Sequence, residues 1–192
     1  ISGCDVFKEN FISKSTDGGK TFAEPIKLPE IERIVNGVKE IFFVSTILYN
    51  KDYDKWIAIG ALMYYENEID HVRHKGVGIS KPVTVLFDPE KLTWCSEPRP
   101  IPLPFECISA LPHSQPIEYE NNQYHLGYYA NTEEKLFCSA LTAIYEFDGE
   151  GFVLIKSGEL LEGLGSRGFM EPSLAKLNDK YYITLRTDED AM

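Results

Sequence analysis

A glutamate and an arginine near the end of the chain are the residues best spaced to form a chemically useful pair. They lie in MEPSLAKLNDKYYITLR, residues 170–186, on either side of Asn178-Asp179, a dipeptide typical of a two-residue hairpin turn. Such a turn sets Glu171 opposite Arg186, because the two residues are equally far from it along their strands. Cross-strand partners share a face of the sheet, so a carboxylate and a guanidinium are expected to meet there as a charge-assisted pair.

A second stretch repeats this order of residues. SQPIEYENNQYHLGYY, residues 114–129, also has a polar residue, a proline, a short strand, an Asn-containing turn and a tyrosine-led strand. A turn at Asn121-Asn122 sets Gln115 opposite Tyr128. Polar and aromatic side chains suit the hydroxyls and ring faces of a sugar, although packing in the core or at the rim fits each of them equally well. The residues predicted to lie at the same end of the sheets as the Glu–Arg pair are His113, Gln115, Tyr128 and Asn131, and His113 is also a candidate general base.

The elements that carry these residues are predicted to be almost entirely β-strands. Tyr, Phe, Val, Ile and Thr recur in short runs broken by Asn, Asp, Gly and Pro, and helical periodicity is hard to find. Residues 42–65 are a third copy of the hairpin, and the clusters at 87–94 and 147–152 each begin with Phe-Asp and end with an aromatic residue. The expected fold is all-β, a β-propeller of four-stranded antiparallel blades, of which roughly three to four fit in this chain.

The stretch SKSTDGGKTF supplies a more specific signature. The frame S-x-D-x-G-x-T-F is formed by Ser15, Asp17, Gly19, Thr21 and Phe22. It resembles the Asp-box of the sialidase superfamily and matches it at every defined position. In that family the box is the turn between the third and fourth strands of a propeller blade, on the face opposite the active site. Here Asp17 is expected to accept hydrogen bonds from turn amides, Gly19 to adopt a positive φ, and Phe22 to pack into the blade.

The resemblance also implies roles for the candidate site residues. EPSLAKLNDKYYITLR is similar to a sialidase segment with a glutamate and then an active-site arginine, so Glu171 would polarise a tyrosine nucleophile and Arg186 would bind a substrate carboxylate. A sialidase also uses an aspartate as acid/base before its first Asp-box, and Asp5 is the candidate here. The nucleophile and the first-blade arginine are expected outside this chain. Arg73 and Arg167 are either additional cations of the site or solvated loop residues.

Composition narrows the classes of partner. The 192 residues include 19 basic and 30 acidic side chains, and the net charge of −11 argues against nucleic acid or an anionic membrane as the main partner. The longest apolar stretch, residues 57–65, is too short to span a bilayer as a helix. Since Ile1 is not a natural start, we expect a single domain, residues 1–192, that is truncated at both ends and lacks blades of its parent protein. The family resemblance implies a secreted or periplasmic location.

Other patterns do not indicate a cofactor or a metal. Residues 163–168 spell G-x-G-x-x-G but lack the strand before and the helix after that a dinucleotide site requires. His71 and His74 have no helix to bring them onto one face. The four cysteines show no paired metal spacing, so they are read as buried thiols, with a disulfide as the alternative. No cofactor and no metal are therefore predicted.

The sequence thus predicts a sialidase-like glycoside hydrolase that acts on a glycan with an acidic or otherwise polar terminal sugar. Two alternatives remain open. One is a non-catalytic propeller that binds glycan or protein through the same face. The other is a polysaccharide lyase or another glycosidase on the same scaffold, in which a His or a Tyr replaces the sialidase apparatus.

Overall fold

The computed structural model describes residues 7–67, 70–120, 122–163 and 167–187. Within these ranges the secondary structure consists of strands and turns without a helix, so the predicted all-β class is confirmed. No helix that could cross a membrane occurs in this part of the chain. The strands are β1 (Phe11–Ile12), β2 (Ile26–Lys27), β3 (Glu32–Val35), β4 (Val38–Asn50), β5 (Lys55–Tyr65), β6 (Arg73–His74), β7 (Val77–Gly78), β8 (Ser80–Asp88), β9 (Thr93–Trp94), β10 (Arg99–Pro100), β11 (Ser109–Pro112), β12 (Ile117–Glu118), β13 (Gln123–Asn131), β14 (Ser139–Phe147), β15 (Phe152–Ser157), β16 (Leu161–Glu162), β17 (Met170–Leu177) and β18 (Lys180–Arg186).

The first unit of the fold is an antiparallel sheet built on two long strands. Strands β3, β4, β5 and β8 pair in that order, and β9 and β10 pair with β8. Apolar residues fill β5 almost without interruption, and residues 57–63 are buried throughout, which shows that both faces of this strand are covered. A small hairpin, β6 and β7, lies in the connection between β5 and β8.

The second unit repeats this order of consecutive antiparallel strands. Strands β11 and β12 both pair with β13, β13 pairs with β14, and β14 pairs with β15 and β16. The third unit is the hairpin of β17 and β18, and β1 and β2 form a further two-stranded sheet at the start of the described chain. The sequence repeat therefore corresponds to a structural repeat of antiparallel strands.

The joints between units also repeat. Ser80, the first residue of β8, pairs in parallel with Ser109, the first residue of β11. Cys138, directly before β14, forms a parallel bridge with Gly168, just before β17. In the first joint the start of β8 meets the start of β11, and in the second the start of β14 meets the start of β17. Each joint therefore links the third long strand of one unit to the first strand of the next, and the two connections place successive units in the same way.

The main core lies between the first and second units. Ile57 and Ile59 of β5 pack with aromatic and aliphatic side chains of β13 and β14, among them Tyr128 and Tyr145, and all four are almost completely buried. The Tyr145 hydroxyl donates to the carbonyl of Pro102 at 3.0 Å, which satisfies a polar group inside this apolar layer. The strands of both units belong to one continuous sheet joined through β8 and β11, and this shared core fixes the positions of the strand ends that carry the polar residues.

Three turns are closed by an aspartate that accepts turn amides. Asp17 Oδ1 accepts hydrogen bonds from the amides of Lys20 and Thr21, each at 3.0 Å, and the Thr21 hydroxyl donates to Oδ2 at 2.7 Å. Asp88, the last residue of β8, and Asp148, between β14 and β15, each accept the amides of the second and third residues that follow, whereas Asp17 accepts those of the third and fourth. The turns at Asp88 and Asp148 lie at the ends of the third long strands of the first and second units.

The box at Asp17 follows its expected geometry at each residue except Phe22. Gly19 has a φ of +84°, which a residue without a Cβ adopts at low cost, and its amide donates to the Ser15 hydroxyl at 2.8 Å. Phe22, however, is 65% exposed, so the prediction that it packs into a blade is wrong for the described residues.

Candidate active site

A pocket of about 550 Å³ lies where residues of all three units meet. Its walls come from strands of each unit, β4, β5 and β8 in the first, β11 and β13 in the second and β17 and β18 in the third, and from the β6–β7 hairpin. The histidine, arginine and glutamate side chains that line the pocket are His71, Arg73, His113, Arg167, Glu171 and Arg186.

The described lining of the pocket has the opposite charge balance to the whole chain. Among the described residues it holds the three arginines Arg73, Arg167 and Arg186 and one carboxylate, Glu171, whereas the chain carries a net charge of −11. Guanidinium groups remain charged at any physiological pH and match the planar oxygens of a carboxylate. The pocket is therefore a local cationic site in an acidic protein, and its chemistry favours an anionic ligand.

Glu171 and Arg186 form the predicted ion pair, although their backbones are not directly opposite each other as the sequence predicts. Glu171 Oε2 lies 2.8 Å from Arg186 Nη1, and the side chains are 33% and 52% exposed. The predicted backbone register is confirmed from Leu177–Lys180 to Ser173–Thr184 but is wrong at Glu171, because Arg186 lies opposite Met170 and the register shifts between Met170 and Ser173. Pro172 lies inside this irregularity and has no N–H to donate to a strand ladder, so the strand bulges there and Glu171 projects from the bulge.

Each unit contains an irregularity in register, although the number of inserted residues differs. The register of β4 against β5 shifts between Val44 and Thr46, and residues 113–116 separate β11 from β12 along β13. In all three units the strand nearest the pocket carries extra residues at this level. Bulges bend a strand and re-aim its side chains, and they are common beside active sites. In the second and third units, residues inside the irregularity, His113 and Glu171, line the pocket.

His113 and Tyr129 form the wall contributed by the second unit. Their rings lie 6.1 Å apart, and both line the pocket together with Asn131. Burial raises the pKa of Tyr129 above the ordinary value, and the nearby Cys138 and Glu171 act in the same direction. The phenol of Tyr129 is therefore neutral over the physiological range and is a hydrogen-bond donor to a ligand.

Tyr128 and Gln115 do not occupy the positions predicted for them. Tyr128 is completely buried in the core between the first two units, so it cannot contact a ligand in the pocket, and that prediction is wrong. It lies opposite Pro112 and not Gln115, because the register is already one residue from the predicted one at Ile117, which pairs with His125, and residues 113–116 shift it further. Gln115 is exposed, hydrogen-bonds the Thr46 hydroxyl and does not line the pocket, so its predicted position is also wrong.

The remaining predictions for individual residues have mixed outcomes. Asp5 lies outside the described residues. His71 packs its ring 4.4 Å from that of Tyr65, and His74 pairs with Glu133. In the described ranges no group of three His, Cys, Asp or Glu side chains could hold a metal ion.

Three of the cysteines are not buried as predicted. Cys95 is exposed, and Cys107 and Cys138 are partly exposed, so the prediction of buried thiols is wrong for these three. None of them forms a disulfide within the described chain.

The Asp turns and the pocket lie at opposite ends of the same strands. Strand β8 begins at Ser80, which lines the pocket, and ends at Asp88, which closes its turn. Strand β14 likewise begins next to Cys138, another lining residue, and is followed by Asp148. A strand of nine residues is about 30 Å long, so the turns are remote from the pocket and have a structural role.

Sequence reasoning missed Tyr129 and His71 as pocket residues and left Arg73 and Arg167 undecided. A signal for Tyr129 was available, because side chains alternate along a strand and its neighbour Tyr128 belongs to the apolar run of Leu126 and Ala130. No local signal identifies His71 or Arg73, which reach the pocket only through the β6–β7 connection.

A scan against models of protein families and a search of curated proteins found no match to this chain.

Proposed function

We propose that this chain is part of a sialidase-like β-propeller and that its pocket binds the carboxylate of a terminal acidic sugar whose glycosidic bond is hydrolysed. The observation that carries the proposal is the cluster of Arg73, Arg167 and Arg186 in one pocket of an acidic chain. A guanidinium carries paired N–H donors whose geometry matches the two oxygens of a carboxylate. A volume of about 550 Å³ is suited to a single sugar residue with its substituents.

Three features of the fold support the propeller part of the proposal. Units of antiparallel strands repeat in chain order, their parallel joints are equivalent, and the Asp turns lie at the end of the strands remote from the pocket. Blades arranged around an axis bring the starts of their inner strands together at one end of that axis. The pocket, whose lining includes residues of β4, β11 and β17, is consistent with that position.

Within this proposal Glu171 and Arg186 have separate tasks. The guanidinium holds one carboxylate oxygen of Glu171 at 2.8 Å and so fixes the direction of the other, which can accept a hydrogen bond from a nucleophile. Arg186 also presents its remaining N–H groups to the substrate carboxylate, with Arg73 and Arg167. The Tyr129 hydroxyl is a further donor in the same pocket.

The test is to replace the two paired residues in the full-length protein. Glu171→Gln and Arg186→Ala are each expected to lower kcat/KM for a fluorogenic N-acetylneuraminide by about 10²–10³-fold while the far-ultraviolet circular dichroism is unchanged. The matched controls are Glu150→Gln and Arg99→Ala, which break an exposed Glu–Arg pair of 2.6 Å outside the pocket and should leave kcat/KM unchanged. Full turnover in both site variants contradicts the assignment.

A polysaccharide lyase is the second candidate, favoured by the presence of His113 beside Tyr129 in the pocket. In β-elimination a base removes the C5 proton of a uronic acid, the C4–O bond breaks, and the leaving oxygen receives a proton from an acid. His113 is the base and the neutral Tyr129 the acid in this scheme, with the arginines on the uronate. The unsaturated product absorbs in the ultraviolet, and hydrolysis products do not. Binding of acidic glycans without either product supports the non-catalytic alternative.

A further inference from the structure

The small hairpin of β6 and β7 carries one arginine of the pocket. Arg73, at its start, lies opposite Gly78, and both residues line the pocket. Arg73 Nη1 donates to the carbonyl of Gly76 in the turn at 2.9 Å. The turn residues Lys75 and Gly76 have φ values of +48° and +85°, which are those of a tight type I′ turn. The hairpin is thus compact, and the position of Arg73 depends on where the whole hairpin lies.

Two contacts fix the base of the hairpin to the first unit. The amide of Val72 donates to the carbonyl of Tyr64 at 2.8 Å, and His71 forms an isolated bridge with Tyr65. These contacts lie at the end of β5 and involve the base of the hairpin and not its tip.

Glu133 contacts the tip of the hairpin from the second unit. Its Oε1 lies 2.6 Å from His74 Nε2, and its Oε2 lies 2.5 Å from Lys75 Nζ. Both oxygens of one carboxylate therefore bind the two residues that follow Arg73. These contacts lower the pKa of Glu133, with the Lys75 hydrogen bond the largest cause. No other ion pair joins the hairpin to the second unit within the described chain.

Glu133 itself is held by the turn that follows β13. The amide of Thr132 donates to the carbonyl of Lys135 at 2.9 Å, and the Asn131 side chain donates to the carbonyl of Leu136 at 2.8 Å. Asn131 also lines the pocket. Glu133 thus extends from a fixed wall of the pocket to a hairpin anchored on the opposite unit.

We propose that Glu133 is a positioning residue that latches the β6–β7 hairpin across the pocket and thereby keeps Arg73 beside a bound anion. The identity of the anion rests on the proposed function, whereas the latch itself does not. All three latch side chains are about half exposed, so each pair is weak and screened by salt. The two pairs act on a small surface hairpin, which is the kind of element that opens locally at low free energy.

The first test measures the hairpin without any ligand. Glu133→Gln keeps the size of the side chain and removes its charge, and amide hydrogen exchange across residues 71–79 is expected to become about two- to ten-fold faster. Glu134→Gln is the matched control, because this exposed neighbour makes no ion pair with the described residues and its replacement changes net charge equally. In about 1 M NaCl the difference between Glu133→Gln and the unmodified protein should largely disappear.

The second test restores the pair with reversed charges. Glu133→Lys should accelerate exchange at least as much as Glu133→Gln, and adding Lys75→Glu should return the rate toward that of the unmodified protein. A change in packing alone is not repaired by exchanging two charges. Unchanged exchange in Glu133→Gln at low salt, or no recovery in the double variant, overturns the latch.

The third test links the latch to the pocket. With N-acetylneuraminate as the probe, Glu133→Gln is expected to raise the Kd about two- to ten-fold in calorimetry, and in turnover assays to raise KM more than it lowers kcat. Arg73→Ala should weaken binding, and combining it with Glu133→Gln should add little, because the latch acts through Arg73. If the effects of Arg73→Ala and Glu133→Gln on binding are additive, Glu133 does not act through Arg73, and the proposed coupling is overturned. If the unmodified protein does not bind this probe, the proposed substrate fails, while the exchange tests still decide the latch.

Discussion

Glu171 has an unusual backbone conformation for its residue type. Its φ is +50°, and the next residue is Pro172. A non-glycine residue in this region costs about 1–2 kcal/mol, so the surrounding bulge must hold it there. The result is that its carboxylate reaches Arg186 although their backbones are out of register. Strain of this kind concentrates at functional sites, and here it lies on the only carboxylate in the described lining of the pocket.

Adjacent tyrosines of β13 should respond very differently to mutation. Tyr128→Ala removes a fully buried ring from the core and is expected to lower the free energy of unfolding by about 3–5 kcal/mol. Tyr129→Phe removes only a hydroxyl at the pocket and should change stability by about 1 kcal/mol or less, yet weaken binding of an acidic sugar several-fold. Urea unfolding and calorimetric titration measure the two effects. Equal loss of stability in both variants contradicts the assignment of Tyr129 to the pocket.

At the scale of elements, the Asp-box turn acts as a closed hydrogen-bonded unit. Asp17 accepts bonds from the amides of Thr21 and Lys20 and from the hydroxyls of Thr21 and Ser15. These donors lower the pKa of Asp17 from the ordinary value of 3.8 to about 2, with the Thr21 amide the largest cause. The group is fully exposed, so its effect is confined to the order of its own turn.

The sign of this pKa shift predicts how the turn responds to acid. Because the folded pKa is lower than the unfolded value, the stabilising contribution of Asp17 is complete above about pH 4 and is lost as the pH falls through about 2. The amide resonances of Lys20 and Thr21 should shift over this interval in nuclear magnetic resonance spectra. Asp17→Asn should abolish the transition, and Asp179→Asn, in the turn between β17 and β18, should not. A transition centred near 4 argues against the turn geometry.

At the scale of the whole molecule, the pocket exists only because separate units are joined at fixed positions. The bridge between Cys138 and Gly168 joins the second unit to the third, and both Cys138 and Glu171 line the pocket. Gly168 has a φ of +74°, and a Cβ placed on it would lie 2.0 Å from the carbonyl oxygen of Cys138. Only glycine therefore allows the two backbones to approach this closely.

Replacement of this glycine tests the joint. Gly168→Ala is expected to displace β17, to abolish binding at the pocket and to lower the melting temperature. Gly37→Ala is the matched control, since Gly37 has a similar φ of +82° but no atom within 4 Å of the added Cβ. It should cost only about 1–2 kcal/mol and leave binding intact. Differential scanning calorimetry and a ligand titration compare the two variants, and similar behaviour of both removes the role assigned to the joint.

Much of the fold was predictable from the sequence because its signals are local. Short runs of aromatic and β-branched residues indicated the strands, the frame around Asp17 indicated a hydrogen-bonded turn, and the repeat indicated equivalent hairpins. The pairing of Glu171 with Arg186 was predicted for the same reason, since both belong to one hairpin. The register at Glu171 and the position of Tyr128 were mispredicted, because bulges insert residues that simple counting from a turn ignores, and because the second hairpin is one residue from the predicted register already at Ile117.

The sequence by itself determined the all-β class, the turn chemistry and the nearest candidate pair, because each depends on residues close together in the chain. Only the tertiary structure decided which distant residues share a pocket. Arg73, Tyr129 and Arg186 come from three separate units, and the latch between Glu133 and the β6–β7 hairpin joins two of them. Contacts of this kind depend on how units pack and where their strands bulge, and no spacing along the chain encodes that arrangement.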